Sequence, residues 1–329
     1  MQRLIGFLGT IILVIFSTVL WFLWCVASAV NFPPLKRKQT QVRSDADSIA
    51  ADDIYSALSP QRPKRVTGFA ETCPALEWTE TTISALVNER VAITHPKDAK
   101  ANAMFPISPA WRTKLVTIQN IPWQEAVQRV FTPPIDAPPA RFIYRSKVTS
   151  KNDTGPTEKP LWRDLPAKPA AWYRSIWFQS RGAVTPFHYD TRHATLTVLY
   201  GCKRFILYPP LQGLSELSPF KVGSMKGCFA SSIGFHAQDD PRELRFLSTE
   251  SPAPYEIVLQ PGETLYIPPY WWHHVNCLEN SITLQHFRPL RLFERAHPLM
   301  ARVFIDLIMI NLASLSRFLW QRILLKKDY

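Results

Sequence analysis

Glycine is scarce in this chain, 11 of 329 residues, and no stretch of it repeats another. It is not a low-complexity protein, since 46% of it is hydrophobic, enough for a real core. No pair of the five cysteines (Cys25, Cys73, Cys202, Cys228, Cys277) has CxxC spacing, which argues against a zinc knuckle. Cys25 lies in an apolar run, and the other four are too scattered for a disulfide framework and read as buried thiols. A net charge of +12 invites a nucleic-acid reading, but no Lys/Arg-rich helix is present and the basic residues are dispersed. Charge is missing altogether from Leu4 to Val30, a run of 27 residues.

That run is long enough to span a bilayer, which takes roughly 20 apolar residues. Trp21 and Trp24 stand near its end, and Pro33 and Pro34 stop a helix. Ala27-Ser28-Ala29 resembles a signal-peptidase site, but a signal core is only about 7–15 residues, so an uncleaved anchor is expected. Arg3 precedes the run, while Lys36, Arg37, Lys38 and Arg43 follow it, which places the following domain on the cytosolic side. The last four residues, Lys326-Lys327-Asp328-Tyr329, resemble a dilysine retrieval signal and suggest the endoplasmic reticulum. One sequon, Asn152-Asp153-Thr154, points the other way.

The expected organisation is an anchor over residues 1–31, a linker over 32–66, a catalytic domain over 67–290 and a helical region over 291–329. A short helix is expected around Ile49–Leu58 and a capped one over Thr79–Val87. Short β-branched and aromatic runs follow: Val91–Thr94, Lys114–Ile118, Arg141–Tyr144, Ser175–Phe178, Ala194–Leu199, Arg204–Tyr208, Tyr255–Leu259, Thr264–Ile267 and Ser281–Phe287. Many short strands with proline-rich turns predict a mainly β sandwich or barrel. Lys147–Pro169 and Leu211–Pro254 read as long loops. In Pro298–Leu325, Arg302, Asp306 and Arg317 fall within about 60° of one another on a helical wheel. That leaves a wide apolar face to pack on the domain, meet a second copy or lie on a membrane.

The chemistry concentrates in TPFHYD (Thr185–Asp190) and PGETLYIPPYWWHHV (Pro261–Val275). Residues i and i+2 of a strand share a face, so His188 and Asp190 can present two ligands to one metal. His273, from a distant strand, supplies a third. Two imidazoles and one carboxylate leave the opposite positions open, the arrangement of non-haem Fe(II) oxygenases. His95, His193, His236 and His297 belong to no readable motif.

These two motifs, with Gly201-Cys202-Lys203-Arg204-Phe205 between them, resemble the cupin-like JmjC hydroxylases, and among them the asparaginyl hydroxylase factor inhibiting HIF. The resemblance spans roughly residues 74–289. It implies a double-stranded β-helix, or jelly roll, with flanking helices, and an oxygenase using Fe(II), O2 and 2-oxoglutarate on proteins or RNA, a protein being preferred here. It implies His188, Asp190 and His273 as metal ligands, the first histidine after the tryptophans being chosen over His274. Lys203 and Thr185 take the positions that hold the distal carboxylate of 2-oxoglutarate, and Tyr144 is the candidate for a tyrosine that does likewise. Ala194 and His286 stand where the relative has asparagines. His286 is either a substitute cosubstrate contact or a core histidine. HxD rather than HxE suits hydroxylases better than histone demethylases. Two other readings are a metalloenzyme that does not use 2-oxoglutarate and a non-catalytic membrane-anchored scaffold.

Overall fold

The structure, a computed structural model, describes residues 48–50, 62–96, 115–145, 160–166, 173–210, 224–225, 228–230, 255–288 and 290. Within them, β-branched and aromatic residues build strands, because their side chains pack well on a pleated surface. One sheet has nine strands, in the order β1 (Ser48–Ala50), β2 (Lys64–Thr67), β13 (Thr264–Ile267), β8 (His193–Tyr200), β15 (Ser281–Arg288), β6 (Tyr173–Gln179), β5 (Arg141–Arg145), β3 (Arg90–Pro96) and β4 (Leu115–Pro122). The other has six, in the order β10 (Ser224–Met225), β11 (Cys228–Ala230), β7 (Val184–Asp190), β14 (Trp272–Cys277), β9 (Lys203–Tyr208) and β12 (Tyr255–Leu259). Apart from the parallel pair β1–β2, the ladders in both sheets are antiparallel. The architecture is the mainly β jelly roll with few helices that the sequence predicts. The nine predicted runs match β3, β4, β5, β6, β8, β9, β12, β13 and β15, with Lys114, the first residue of one run, outside the described residues.

Two apolar clusters flank the nine-stranded sheet. One draws on both sheets and fills the space between them: Leu196 and Val198 from β8, Leu265 from β13, Phe205 and Leu207 from β9, Ile257 from β12 and Val275 from β14. The other covers the outer face, where Phe142, Ile176, Phe178, Ile282 and Leu284 meet helices α1 (Glu80–Leu86) and α2 (Trp123–Phe131). The first helix starts as predicted. Thr79 Oγ1 accepts from the Thr82 amide and the Thr82 hydroxyl accepts from the Thr79 amide, a reciprocal cap. The second was not anticipated, although Trp123, Ala126, Val127, Val130 and Phe131 repeat at helical spacing and are all buried.

Four other expectations need correction. The loop expected over Lys147–Pro169 contains a short helix, Pro160–Arg163. Ser48–Ala50 pairs in parallel with β2 rather than starting a helix, and residues 51–61 lie outside the described set. The span 32–66 is not all linker, because Lys64, Arg65 and Val66 pair with β13. The loop expected over Leu211–Pro254 contains β10 and β11, and β11 pairs with the strand that carries His188. The uncharged run, the sequon, the C-terminal amphipathic segment and the dilysine-like tail lie outside the described residues. Among the described residues no helix is long and apolar enough to cross a membrane.

Candidate metal centre and the chamber beside it

Strand pairing decides which side chains face the space between the sheets. Leu196 and Val198 belong to the inner cluster, and they pair with Gln285 and Thr283 of β15. Those residues pair in turn with Ser175 and Trp177 of β6. Gln179, two positions on from Trp177, pairs with Arg141 of β5. Arg141, Trp177, Gln179, Thr283 and Gln285 therefore share the inner face, since alternate strand residues point the same way. On the six-stranded sheet, the inner residues Phe205 and Leu207 pair with Val275 and His273, and His273 pairs with His188. Lys203 pairs with Cys277 at the far end of the same face.

The three predicted metal ligands meet. One ligand atom from each of His188, Asp190 and His273 lies within 4.8 Å of the others. The His188 and His273 rings are 4.0 Å apart by centroid, and His273 Nε2 is 3.8 Å from Asp190 Oδ2. Both imidazoles are oriented by backbone two residues earlier: His188 Nδ1 sits 2.8 Å from the Pro186 carbonyl and His273 Nδ1 sits 2.9 Å from the Trp271 carbonyl. A carbonyl only accepts, so both Nδ1 atoms carry the proton and both Nε2 atoms keep their lone pair. Burial pushes His188 well below the usual imidazole range and His273 down to about 4, so both are neutral near pH 7, as metal ligation requires. His274 points to the opposite face, beside Phe187 at 5.1 Å, which supports choosing His273. The turn before β14 is held to the ligand strand by the Tyr270 amide, which donates to the Asp190 carbonyl at 2.7 Å. Tyr270 adopts φ 68°, a left-handed conformation unusual for tyrosine.

Thr185 reaches the same face by an irregularity. Between the pairs His188–His273 and Thr185–Val275, β7 takes three steps where β14 takes two. That extra residue is a β-bulge, and Pro186, which lacks an amide donor, lies within it. Strict alternation would have turned Thr185 away from His188. The bulge brings its buried side chain round to the side of Val275.

Lys203 is 2% exposed and donates from Nζ to Gln179 Oε1 at 2.6 Å. Burial lowers its pKa, which the nearby Cys277 thiol partly offsets. Among the described residues no carboxylate forms an ion pair with it. Gly201 makes this placement possible. It turns the chain out of β8 toward β9 at φ +70°, and a Cβ there would meet the Asn280 carbonyl oxygen at 2.0 Å.

Tyr144 and His286 do not join this cluster, which corrects their assignment as cosubstrate contacts. Tyr144 lies in the outer cluster, packs on Trp123 and Trp162, and donates its hydroxyl to Glu89 Oε2 at 3.3 Å. His286 is consecutive to the inner Gln285, so it faces outward, and its ring meets Phe69 edge-on at 5.7 Å. Ala194 is on the inner face as part of the apolar cluster. The inner residues missed in the sequence, Arg141, Trp177, Gln179, Thr283 and Gln285, had a signal. In SIWFQ and SITLQ the more polar positions recur at every second residue of otherwise apolar strands.

The residues present fit an Fe(II) and 2-oxoglutarate site. Two neutral imidazoles and a carboxylate match the ion's donor preference. A buried ammonium calls for an anion. Gln179 Nε2 and Thr283 Oγ1, both on the inner face, are buried without a hydrogen-bond partner among the described residues, which is the cost a polar ligand would relieve.

Comparison with known proteins agrees. The model of the Cupin-like domain family matches residues 58–287. The chain is similar to lysine-specific demethylase JMJ30 of Arabidopsis thaliana, 34% identical over 110 residues, covering 33% of this chain and 24% of that protein. It is also similar to Jumonji C domain-containing protein 5 of Drosophila melanogaster (34% over 107 residues, 32% and 25%). HSPB1-associated protein 1 of Rattus norvegicus is 30% identical over 139 residues (41% and 28%). The chain thus aligns with about a quarter of the length of these curated relatives. Fe(II) and 2-oxoglutarate are the cofactors of the JmjC family. By the match over most of its length, this chain belongs to the cupin-like, JmjC-type domain family.

Proposed function

We propose that this protein is an Fe(II)- and 2-oxoglutarate-dependent dioxygenase that hydroxylates a protein side chain, in the manner of the asparaginyl hydroxylase it resembles. The observation that carries this reading is one shared face. A neutral two-histidine, one-carboxylate cluster and a buried lysine with an uncharged acceptor look into the same chamber. His188, Asp190 and His273 are the metal ligands; Lys203 and Thr185 hold the distal carboxylate of the cosubstrate.

Bound Fe(II) supplies the activation of O2, coupled to decarboxylation of 2-oxoglutarate to succinate. The protein's part is orientation and exclusion. The Pro186 and Trp271 carbonyls hold the imidazole protons on Nδ1, so each Nε2 is presented as a donor. Asp190 contributes the one negative ligand. Lys203 binds an anionic group at a fixed distance from the metal, and Phe205, Leu207 and Val275 make a dry wall between the two. An HxD pair favours hydroxylation over demethylation.

The test is anaerobic purification of the full-length chain, addition of Fe(II), 2-oxoglutarate and candidate peptides, and measurement of succinate in air. Turnover abolished in His188→Ala and, at limiting 2-oxoglutarate, strongly lowered in Lys203→Ala is expected. Metal binding by the wild type with no affinity for 2-oxoglutarate would overturn the reading and favour a scaffold or a different metalloenzyme.

The uncharged run Leu4–Val30 supports a single membrane anchor, and the basic residues after it support a cytosol-facing domain at the endoplasmic reticulum. The apolar face of Pro298–Leu325 supports pairing with a second copy. Glycan attached at Asn152 in cells would place the domain in the lumen and refute this orientation, and a monomer on sizing in detergent would refute the pairing.

A further inference from the structure

The inner face holds a second cation, one the resemblance did not assign. Arg141 opens β5, is 6% exposed and pairs directly across from Gln179. Gln179 Oε1 is also the acceptor of Lys203 Nζ at 2.6 Å. The residue that accepts from Lys203 is thus the cross-strand partner of Arg141, and its Nε2 has no hydrogen-bond partner among the described residues. The Arg141 guanidinium carbon lies 5.5 Å from the centre of the Trp177 ring, on the same face. A guanidinium and an ammonium on one buried face make a setting that favours an anionic ligand. Tyr144 and His286 face the outer core and are not available for that anion.

Resting on the function proposed above, we propose that Arg141 is a second binding residue for the distal carboxylate of 2-oxoglutarate, acting with Lys203 on the inner face beside Gln179. A guanidinium suits this role because its planar fork matches a carboxylate and keeps its charge when buried. The site then selects keto acids with a second carboxylate, rather than keto acids in general.

The experiment loads the full-length chain with Mn(II) under argon and measures binding by calorimetry. The ligands are 2-oxoglutarate and 2-oxopentanoate, which has the same keto-acid end and no distal carboxylate. Arg141→Gln is expected to weaken 2-oxoglutarate about ten- to a hundred-fold, the usual effect of losing a charged hydrogen bond. It should leave 2-oxopentanoate and Mn(II) affinities within about two-fold. Equal weakening of both acids, a parallel loss of Mn(II), or no change at all would overturn the proposal. If Arg141→Gln does not fold, Arg141→Lys decides. A smaller preference for the diacid supports the proposal, and an unchanged preference overturns it. A wild type that binds Mn(II) but neither acid would instead refute the cosubstrate reading itself, so the two failures are distinguishable.

Discussion

On strand β6, Ser175, Trp177 and Gln179 look into the space between the sheets, while Ile176 and Phe178 look out at the helices. Both sets are largely withdrawn from solvent. The outward set is fully buried and apolar, and Phe178 stacks on Phe142 at 4.4 Å and meets Trp123 at 5.2 Å. The inward set is a polar network, in which Trp177 Nε1 donates to Gln285 Oε1 at 2.7 Å and Gln179 accepts from Lys203. One face is closed by packing and holds the fold. The other keeps Gln179 Nε2 and Thr283 Oγ1 without partners among the described residues, a setting that suits a polar ligand. Burial alone does not separate them: Gln285 and His286 are adjacent and both buried, yet they belong to different faces.

The comparison breaks most decisively at the metal cluster. His188→Ala should lower Fe(II) or Mn(II) affinity by more than about a hundred-fold, since a ligand matters at least as much as the groups that orient one. Titration calorimetry reads this, and a melting temperature that stays near wild type shows that the fold survives. His274→Ala, on the other face of the same strand, should keep the metal. The outer face should answer in stability alone. Phe178→Ala is expected to cost about 3–5 kcal/mol in denaturant unfolding, the usual loss for a buried phenylalanine, with metal affinity unchanged in the folded fraction.

Lys203→Ala should weaken 2-oxoglutarate by about 1.5–3 kcal/mol and leave the metal bound. Its pH profile sharpens the point. Burial lowers the lysine pKa below the ordinary 10.5, and only the protonated form attracts the carboxylate. Cosubstrate affinity should therefore fall as pH rises through the lysine titration, and should do so at lower pH than an ordinary lysine would give, by up to about ten-fold per unit. Lys203→Ala should flatten that fall.

The smallest effects belong to the residues on the wrong face. Tyr144→Phe removes one hydrogen bond, at 3.3 Å to Glu89, and should cost about 0.5–1.5 kcal/mol of stability without changing 2-oxoglutarate affinity. His286→Gln should behave alike. A clear loss of cosubstrate affinity in either would contradict the assignment of faces.

The sequence by itself determined nine of the fifteen described strands, the mainly β fold class and the candidate metal triad. Runs of β-branched residues between turns define strands locally, and an HxD pair shares one face of any strand, whichever face that is. A histidine after a proline-flanked turn supplied the third ligand. It did not determine which face of a strand is the inside. Helices cover the outer face of the nine-stranded sheet, so both faces are buried, and the polar–apolar alternation of SIWFQ and SITLQ does not by itself say which face looks inward. That is why Tyr144 and His286 were assigned to a chamber they do not enter, and why Arg141 and Gln179 were passed over. Thr185 shows the reverse case. Its residue type was legible, but its direction depends on one extra residue in β7, a bulge set by pairing with a strand distant in sequence. Local chemistry fixes what a residue can do, and long-range strand pairing fixes where it points.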